Sequence, residues 1–143
     1  MKREINFRAW AIVEKKMCQV TTLTDKGAFL VGIEPEADQI LMDGKYIVRG
    51  CDNGRFLNND EFELMQFTGL LDKNGKEIFE GDIIQHYDPN WGYGGKYDKI
   101  NDGYIYSEIS FEDGCFCLKD SVELYNYKEY EVIGNIYSNP ELL

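Results

Sequence analysis

The stretch from Phe67 to Ile84 constrains the fold more than any other part of the sequence. Asn74-Gly75 lies between apolar residues there, and Asn-Gly pairs favour the tight turn of a β-hairpin. Glu80-Gly81-Asp82 follows as a second reversal, in which Gly supplies an open dihedral and Asp can accept hydrogen bonds from nearby backbone amides. The stretch therefore predicts short antiparallel strands around two tight turns.

Similar strand patterns, separated by turn residues, run along the whole chain. A first hairpin is predicted over residues 5–23. Glu61–Phe67 fits a strand better than one helical turn capped at Asn59 or Asp60. Residues 51–59 are predicted to form a polar loop, and the tail from Asn139 a single helical turn at most. The other predicted strands are Ala28–Ile33, Gln39–Met42, Lys45–Arg49 (the last two flanking an Asp43-Gly44 turn), Ile83–Tyr87, Tyr104–Phe111, Cys115–Lys119 and Tyr130–Tyr137, with a bulge at Gly134.

The number and spacing of these strands predict the fold class. About nine or ten short strands with almost no helix are typical of a β-sandwich or barrel. The aromatic share of 14% agrees, because aromatic side chains suit half-buried sheet surfaces. A chain of 143 residues suits one domain, residues 1–143. We therefore expect an all-β domain, a small barrel or a sandwich of short antiparallel strands.

The net charge of −11 limits the classes of partner. It arises from 26 acidic and 15 basic residues, a balance that disfavours nucleic acids and anionic membrane surfaces. It permits a basic protein partner, and it equally fits plain solubility. The sequence shows neither a signal peptide nor an apolar run of transmembrane length. We expect a cytoplasmic protein whose four cysteines are reduced.

Few residues could carry catalysis or hold a metal. His86 is the only histidine, and no nucleophile motif surrounds it. Cys115 and Cys117 lie two apart on a predicted strand, and with Cys18 and Cys51 they could form a four-thiolate zinc site. The usual Cys-x-x-Cys spacing is absent, however, and small buried thiols explain the same residues. We expect no enzymatic activity, no metal and no cofactor.

The segment from His86 to Gly103 is the best candidate for recognition. It is rich in Gly and aromatic residues and is too long for a plain turn. Trp91, Tyr93 and Tyr97 could anchor a protein interface or stack on bases, and His86 is included with them as a candidate binding residue. A loop packed on its own domain, with Trp91 closing one end, would explain the same residues.

Three blocks, residues 4–10, 64–84 and 130–143, together carry a family resemblance. They contain Glu4-Ile5-Asn6-Phe7-Arg8-Ala9-Trp10, the Asn-Gly and Glu-Gly-Asp turns, and a closing Ile133-Gly134-Asn135-Ile136-Tyr137. In these blocks the chain resembles the YopX family of phage and prophage proteins. The resemblance covers the whole domain and implies an all-β, barrel-like fold and a phage or prophage origin, so the expected location is the cytoplasm of the host bacterium. Members of the family are largely uncharacterised, so the resemblance assigns no site residues.

These observations favour a non-enzymatic phage accessory protein that binds a host or phage protein. The apolar C-terminal Leu142-Leu143 also suggests packing on the domain or on a second copy in a homo-oligomer. The alternative is a barrel that binds single-stranded nucleic acid with segment 86–103, although such proteins usually have basic grooves. An enzyme is the least favoured function, because every histidine-dependent mechanism would rest on His86 alone.

Overall fold

The computed structural model describes residues 4–32, 54–87, 100–101, 104–119, 124 and 127–143. Within this part of the chain the regular structure is eleven strands, all paired antiparallel, and two short 3₁₀ helices, Tyr127–Glu129 and Pro140–Leu142. The predicted all-β class is confirmed. The strands are β1 (Phe7–Ala11), β2 (Lys16–Leu23), β3 (Gly27–Val31), β4 (Gly54–Asn58), β5 (Phe62–Leu71), β6 (Glu77–Phe79), β7 (Asp82–Tyr87), β8 (Ile100–Asn101), β9 (Tyr104–Glu112), β10 (Cys115–Leu118) and β11 (Glu131–Asn135).

The chain divides into two compact units. Residues 6–66 form one unit, and residues 1–5 together with 67–143 form the other. Strand β5 begins in the first unit and ends in the second. The prediction of a single domain over residues 1–143 stays a prediction. Of the two predicted architectures, a closed barrel is not seen among the described strands, since neither sheet order returns to its first strand.

The unit of residues 6–66 is built on the strand order β4-β3-β2-β1-β5. The predicted first hairpin is present as β1 and β2, although it begins at Phe7. A bulge between Val20 and Thr22 interrupts the pairing of β2, in which Cys18 is buried and Thr22 is exposed. The buried core of this unit combines small side chains with two leucines and one phenylalanine: Ala9, Ala11, Cys18, Ala28, Leu30, Leu57 and Phe62.

Strand β4 corrects the prediction of a polar loop at residues 51–59. Gly54–Asn58 pairs along β3, so that Val31 lies opposite Gly54. A Cβ atom at Gly54 would lie 2.4 Å from the ring of Phe29, so only glycine lets this ring pack there. Leu57 is buried on the opposite face. The composition of this segment, with Asp, Asn and Gly around two apolar residues, is typical of a loop. Pairing with β3 overrides that local preference for a loop.

The unit of residues 1–5 and 67–143 contains a sheet in the order β10-β9-β7-β11, with β8 also paired to β9. Its core cluster is Ile78, Ile84, Ile109, Leu118, Tyr130 and Val132. The predicted bulge near Gly134 is present as a register shift between Val132 and Gly134. The C-terminal tail forms the predicted helical turn, and Leu143 remains exposed.

The two turns of the central stretch are held by buried carboxylates. Oδ1 of Asp72 accepts hydrogen bonds from the backbone N–H groups of Asn74 (2.8 Å) and Lys76 (2.9 Å), and its Oδ2 accepts one from Val132 (3.0 Å). Oδ2 of Asp82 accepts a hydrogen bond of 2.8 Å from the N–H of Phe79. Gly75 and Gly81 have φ values of 81° and 77°, which favour glycine. The predicted roles of glycine in these turns, and of aspartate in the second, are confirmed.

Two further sequence predictions concern membrane-spanning segments and the strands expected between residues 39 and 49. Among the described residues, no helix has the length and apolar character needed to cross a membrane. The predicted strands at residues 39–42 and 45–49, with the Asp43-Gly44 turn between them, lie outside the described residues.

Candidate functional site

The segment 86–103, which the sequence singles out for recognition, begins in β7, contains β8 and ends just before β9. Strand β7 ends at Tyr87 and β9 begins at Tyr104, and these two tyrosines lie directly opposite each other in the antiparallel ladder. Their rings meet edge to face, with centroids 5.8 Å apart and an interplanar angle of 67°. Trp91, Tyr93 and Tyr97 fall between Tyr87 and Tyr104 in the sequence and lie outside the described residues.

Pairing fixes which side chains share the face of the tyrosine pair. Opposite residues of an antiparallel ladder point to the same side of the sheet, so Tyr106 and Gln85, which pair with each other, extend this surface. Strand β11 adds Glu131, which pairs with Gln85. The same face continues to Ile83, which pairs with Glu108 and is fully buried. We call the part of this surface outside Ile83 the tyrosine face; its members are Gln85, Tyr87, Tyr104, Tyr106, Glu108 and Glu131.

The tyrosine pair is the most exposed part of this face. Tyr87 retains 57% and Tyr104 retains 41% of their surface, whereas Tyr106 and Gln85 are half-buried. Isolated exposed apolar side chains are common on protein surfaces. Two adjacent, mutually packed rings differ, because they already form the centre of a contact area that a partner could cover.

Ion pairs border the tyrosine face. Lys73 pairs with Glu131, and the Nζ of Lys119 donates a 2.9 Å hydrogen bond to Oε2 of Glu108. The hydrogen bond to Glu131 raises the pKa of Lys73 above its ordinary value, and the nearby Tyr104 acts in the same direction. Both lysines are therefore engaged with carboxylates of the face.

His86 lies on the opposite side of the sheet from the tyrosine pair. Its Nε2 is 3.2 Å from the hydroxyl of Ser107, and its ring packs at 5.5 Å from that of Tyr130. Burial, and then the charge of Glu129, raise the pKa of Tyr130. Ser107 is only 7% exposed, so substrate would have little access to a nucleophile there. These contacts of His86 join β7, β9 and Tyr130, the residue just before β11.

The three described cysteines lie in different surroundings. Cys18 is buried in the other unit, and its burial raises the pKa of its thiol, with Lys16 acting in the opposite direction. Cys117 is buried with its Sγ 3.4 Å from the hydroxyl of Ser110, whereas Cys115 is exposed. Across the described residues, no group of three or more His, Cys, Asp or Glu side chains is placed to hold a metal ion. Cys51 lies outside them.

Of the four candidate binding residues predicted from sequence, the structure describes one. His86 is described, but it faces the core cluster instead of the tyrosine pair. Sequence reasoning did not single out Tyr87 and Tyr104. The alternation of residues 104–111 places Tyr104 and Tyr106 on one face, but pairing with Tyr87 follows only from the register between β7 and β9.

Comparisons with known proteins agree with the fold. The chain is similar to protein EF1440 from Enterococcus faecalis, a crystal structure with 30% sequence identity and a TM-score of 0.63, with 99% of each chain covered. It is also similar in fold to the crystal structure of yopX from Bacillus subtilis, with 19% identity, a TM-score of 0.54 and coverage of 96% of this chain and 97% of that one. No curated protein matches the sequence. The family model described as YopX protein matches residues 6–143, and the chain therefore belongs to the YopX family.

Proposed function

We propose that this YopX-family chain is a phage or prophage accessory protein that acts in the bacterial cytoplasm as a non-enzymatic binding module for a protein partner. The observation that carries the proposal is the exposed, mutually packed pair of Tyr87 and Tyr104 on the tyrosine face. The resemblance noted in the sequence supports a phage context, which the neighbouring genes would test directly.

The physical properties of tyrosine support protein binding at this place. A tyrosine side chain has two χ angles and a large apolar area, so it contributes contact at low entropic cost. Its hydroxyl can keep a hydrogen bond when the ring is covered. Tyrosine is also enriched among the residues that dominate binding energy at interfaces. The edge-to-face contact holds both rings before a partner arrives, which lowers the cost of ordering them.

A non-enzymatic role is supported by how the only histidine is used. His86 packs on Tyr130 and lies within hydrogen-bond distance of the buried Ser107. These contacts link neighbouring elements of the sheet, as a structural residue does. A general base must instead reach a proton of the substrate.

Affinity capture tests the proposal. The wild-type chain, a Tyr87→Ala/Tyr104→Ala variant and a Phe111→Ala control would be immobilised and exposed to lysate of the bacterium that carries the gene. Phe111 is also exposed and packs edge to face on another ring, that of Phe116, but it lies at the other end of β9. We expect a specific protein retained by the wild type and the control and lost from the double variant. Retention of the same proteins by all three would refute a role for the tyrosine pair.

Two parallel measurements separate the other functions. A gel shift at low salt with a single-stranded oligonucleotide tests the nucleic-acid alternative, which binding by the wild type but not the double variant would favour over a protein partner. Light scattering with wild type and double variant tests whether the captured partner is a second copy of the chain. A homo-oligomer that dissociates in the double variant would identify the partner as this protein itself.

A further inference from the structure

The ring faces of Tyr87 and Tyr104 define which chemistry a partner must bring. In an edge-to-face pair one ring presents its edge to the other, so both of its own faces stay clear of that neighbour. The face of an aromatic ring carries negative potential and attracts guanidinium and ammonium groups. Both rings retain two-fifths or more of their surface, so a side chain from a partner can reach them.

The unit that carries these rings is strongly acidic. Residues 1–5 and 67–143 contain 8 Lys and Arg against 16 Asp and Glu, a net charge of −8, whereas residues 6–66 contain 7 against 10, a net charge of −3. Most of the total of −11 therefore belongs to the unit with the tyrosine face. A field of this sign speeds the approach of cationic segments and opposes phosphates.

The lysines at the border of the face do not reverse this preference. Lys73 and Lys119 are paired with Glu131 and Glu108 of the face itself. An anionic ligand would have to compete with these carboxylates for the lysines. A cationic ligand needs no such exchange, because it can use the ring faces directly and share the carboxylates.

Building on the proposed function, we infer that the partner binds through a basic segment whose Arg or Lys side chains stack on Tyr87 and Tyr104. Arginine fits better than lysine, because its planar guanidinium can stack on a ring while its N–H groups bond carboxylates such as Glu131.

Peptide binding to the purified full-length chain tests this chemistry. The probes are a fluorescein-labelled Gly-Ser peptide with four arginines and a matched peptide with citrulline, which keeps the shape and removes the charge. The variants are Tyr87→Leu/Tyr104→Leu, which removes the ring faces, and Tyr87→Phe/Tyr104→Phe, which keeps them. Circular dichroism and the melting temperature confirm that each variant is folded.

We expect the arginine peptide to bind the wild type and the phenylalanine variant alike and the citrulline peptide to bind much more weakly. Each ring contributes about a threefold gain at an exposed site, so the leucine variant should bind about tenfold more weakly. Equal binding of the citrulline peptide, or unchanged affinity of the leucine variant, would overturn the inference, and so would preferential binding of an oligothymidine strand.

The capture experiment distinguishes this failure from that of the proposed function. If lysate proteins are captured only when Tyr87 and Tyr104 are present, but the arginine peptide does not bind, the proposed binding module stands. Only the basic character of the partner is then rejected. Loss of tyrosine-dependent capture would reject both.

Discussion

Substitution of Asp72 tests the claim that buried carboxylates hold the central turns. Its side chain is nearly fully buried and accepts three backbone N–H groups, two within its own turn and one, from Val132, on strand β11. In Asp72→Asn the amide has one oxygen for the turn, so its NH₂ group would face the N–H of Val132, donor against donor. A hydrogen bond to a charged group is worth about 1.5–3 kcal/mol, and the unpaired amide adds a desolvation cost.

We therefore expect Asp72→Asn to lower the free energy of unfolding by about 2–4 kcal/mol at pH 7. Urea denaturation measures this difference, and hydrogen exchange should show faster exchange of the Val132 amide. Asp60→Asn is the matched control, because Asp60 is an exposed carboxylate on a turn. We expect that control to stay within about 0.5 kcal/mol of the wild type.

The pH dependence of Asp72→Asn is a second readout. Burial alone would raise the pKa of Asp72, but hydrogen bonds from the amides of Val132, Lys76 and Asn74 outweigh it and hold the pKa below its ordinary value. A carboxyl with a lowered pKa stabilises the fold above its unfolded pKa of about 3.9, and this contribution is lost as pH falls through the folded value. The stability gap between wild type and variant should therefore be full at pH 7 and shrink below about pH 4. A gap that is absent at pH 7, or independent of pH, would refute the reasoning.

Three other substitutions test the packing. Gly27→Ala would place a Cβ atom 2.0 Å from the carbonyl oxygen of Leu57, so we expect a loss of at least about 2 kcal/mol in urea denaturation, and wild-type stability would contradict that geometry. Ile109→Ala should cost about 2–5 kcal/mol in the same assay, whereas Phe111→Ala, exposed two residues further on, should cost less than about 1; equal costs would argue against the assigned core. Ser107→Ala removes the hydroxyl near the only histidine and should cost about 1 kcal/mol, measured as a lower urea midpoint; an unchanged midpoint would show that this contact contributes nothing.

Local sequence signals predicted the turns well because their chemistry is local. Asn74-Gly75 and Gly81-Asp82 act through backbone dihedrals and short side-chain bonds within a few residues. The same turn residues were not enough to reveal the third hydrogen bond of Asp72. That bond joins residues 60 apart in the chain, and no local pattern reports a contact at this separation.

Strand β4 and the tyrosine pair escaped prediction for a related reason. Gly54–Asn58 has too few apolar residues to be recognised as a strand, and it is defined by pairing with β3. Tyr87 and Tyr104 are separated by 16 residues of segment 86–103, so their adjacency depends on the register of β7 and β9. Register is set by tertiary pairing, which period-two patterns constrain only to within an even shift.

The aromatic content of segment 86–103 predicts recognition by its interior residues, whereas the exposed aromatic pair in the structure lies on the paired strands β7 and β9. The Phe67–Ile84 stretch has a structural role, because the carboxylates of Asp72 and Asp82 accept hydrogen bonds from backbone N–H groups. His86 is likewise engaged on the core side of the sheet. Tyr87 and Tyr104 form an exposed aromatic pair that these local packing roles do not explain. Their exposure is therefore the feature from which a partner should be sought.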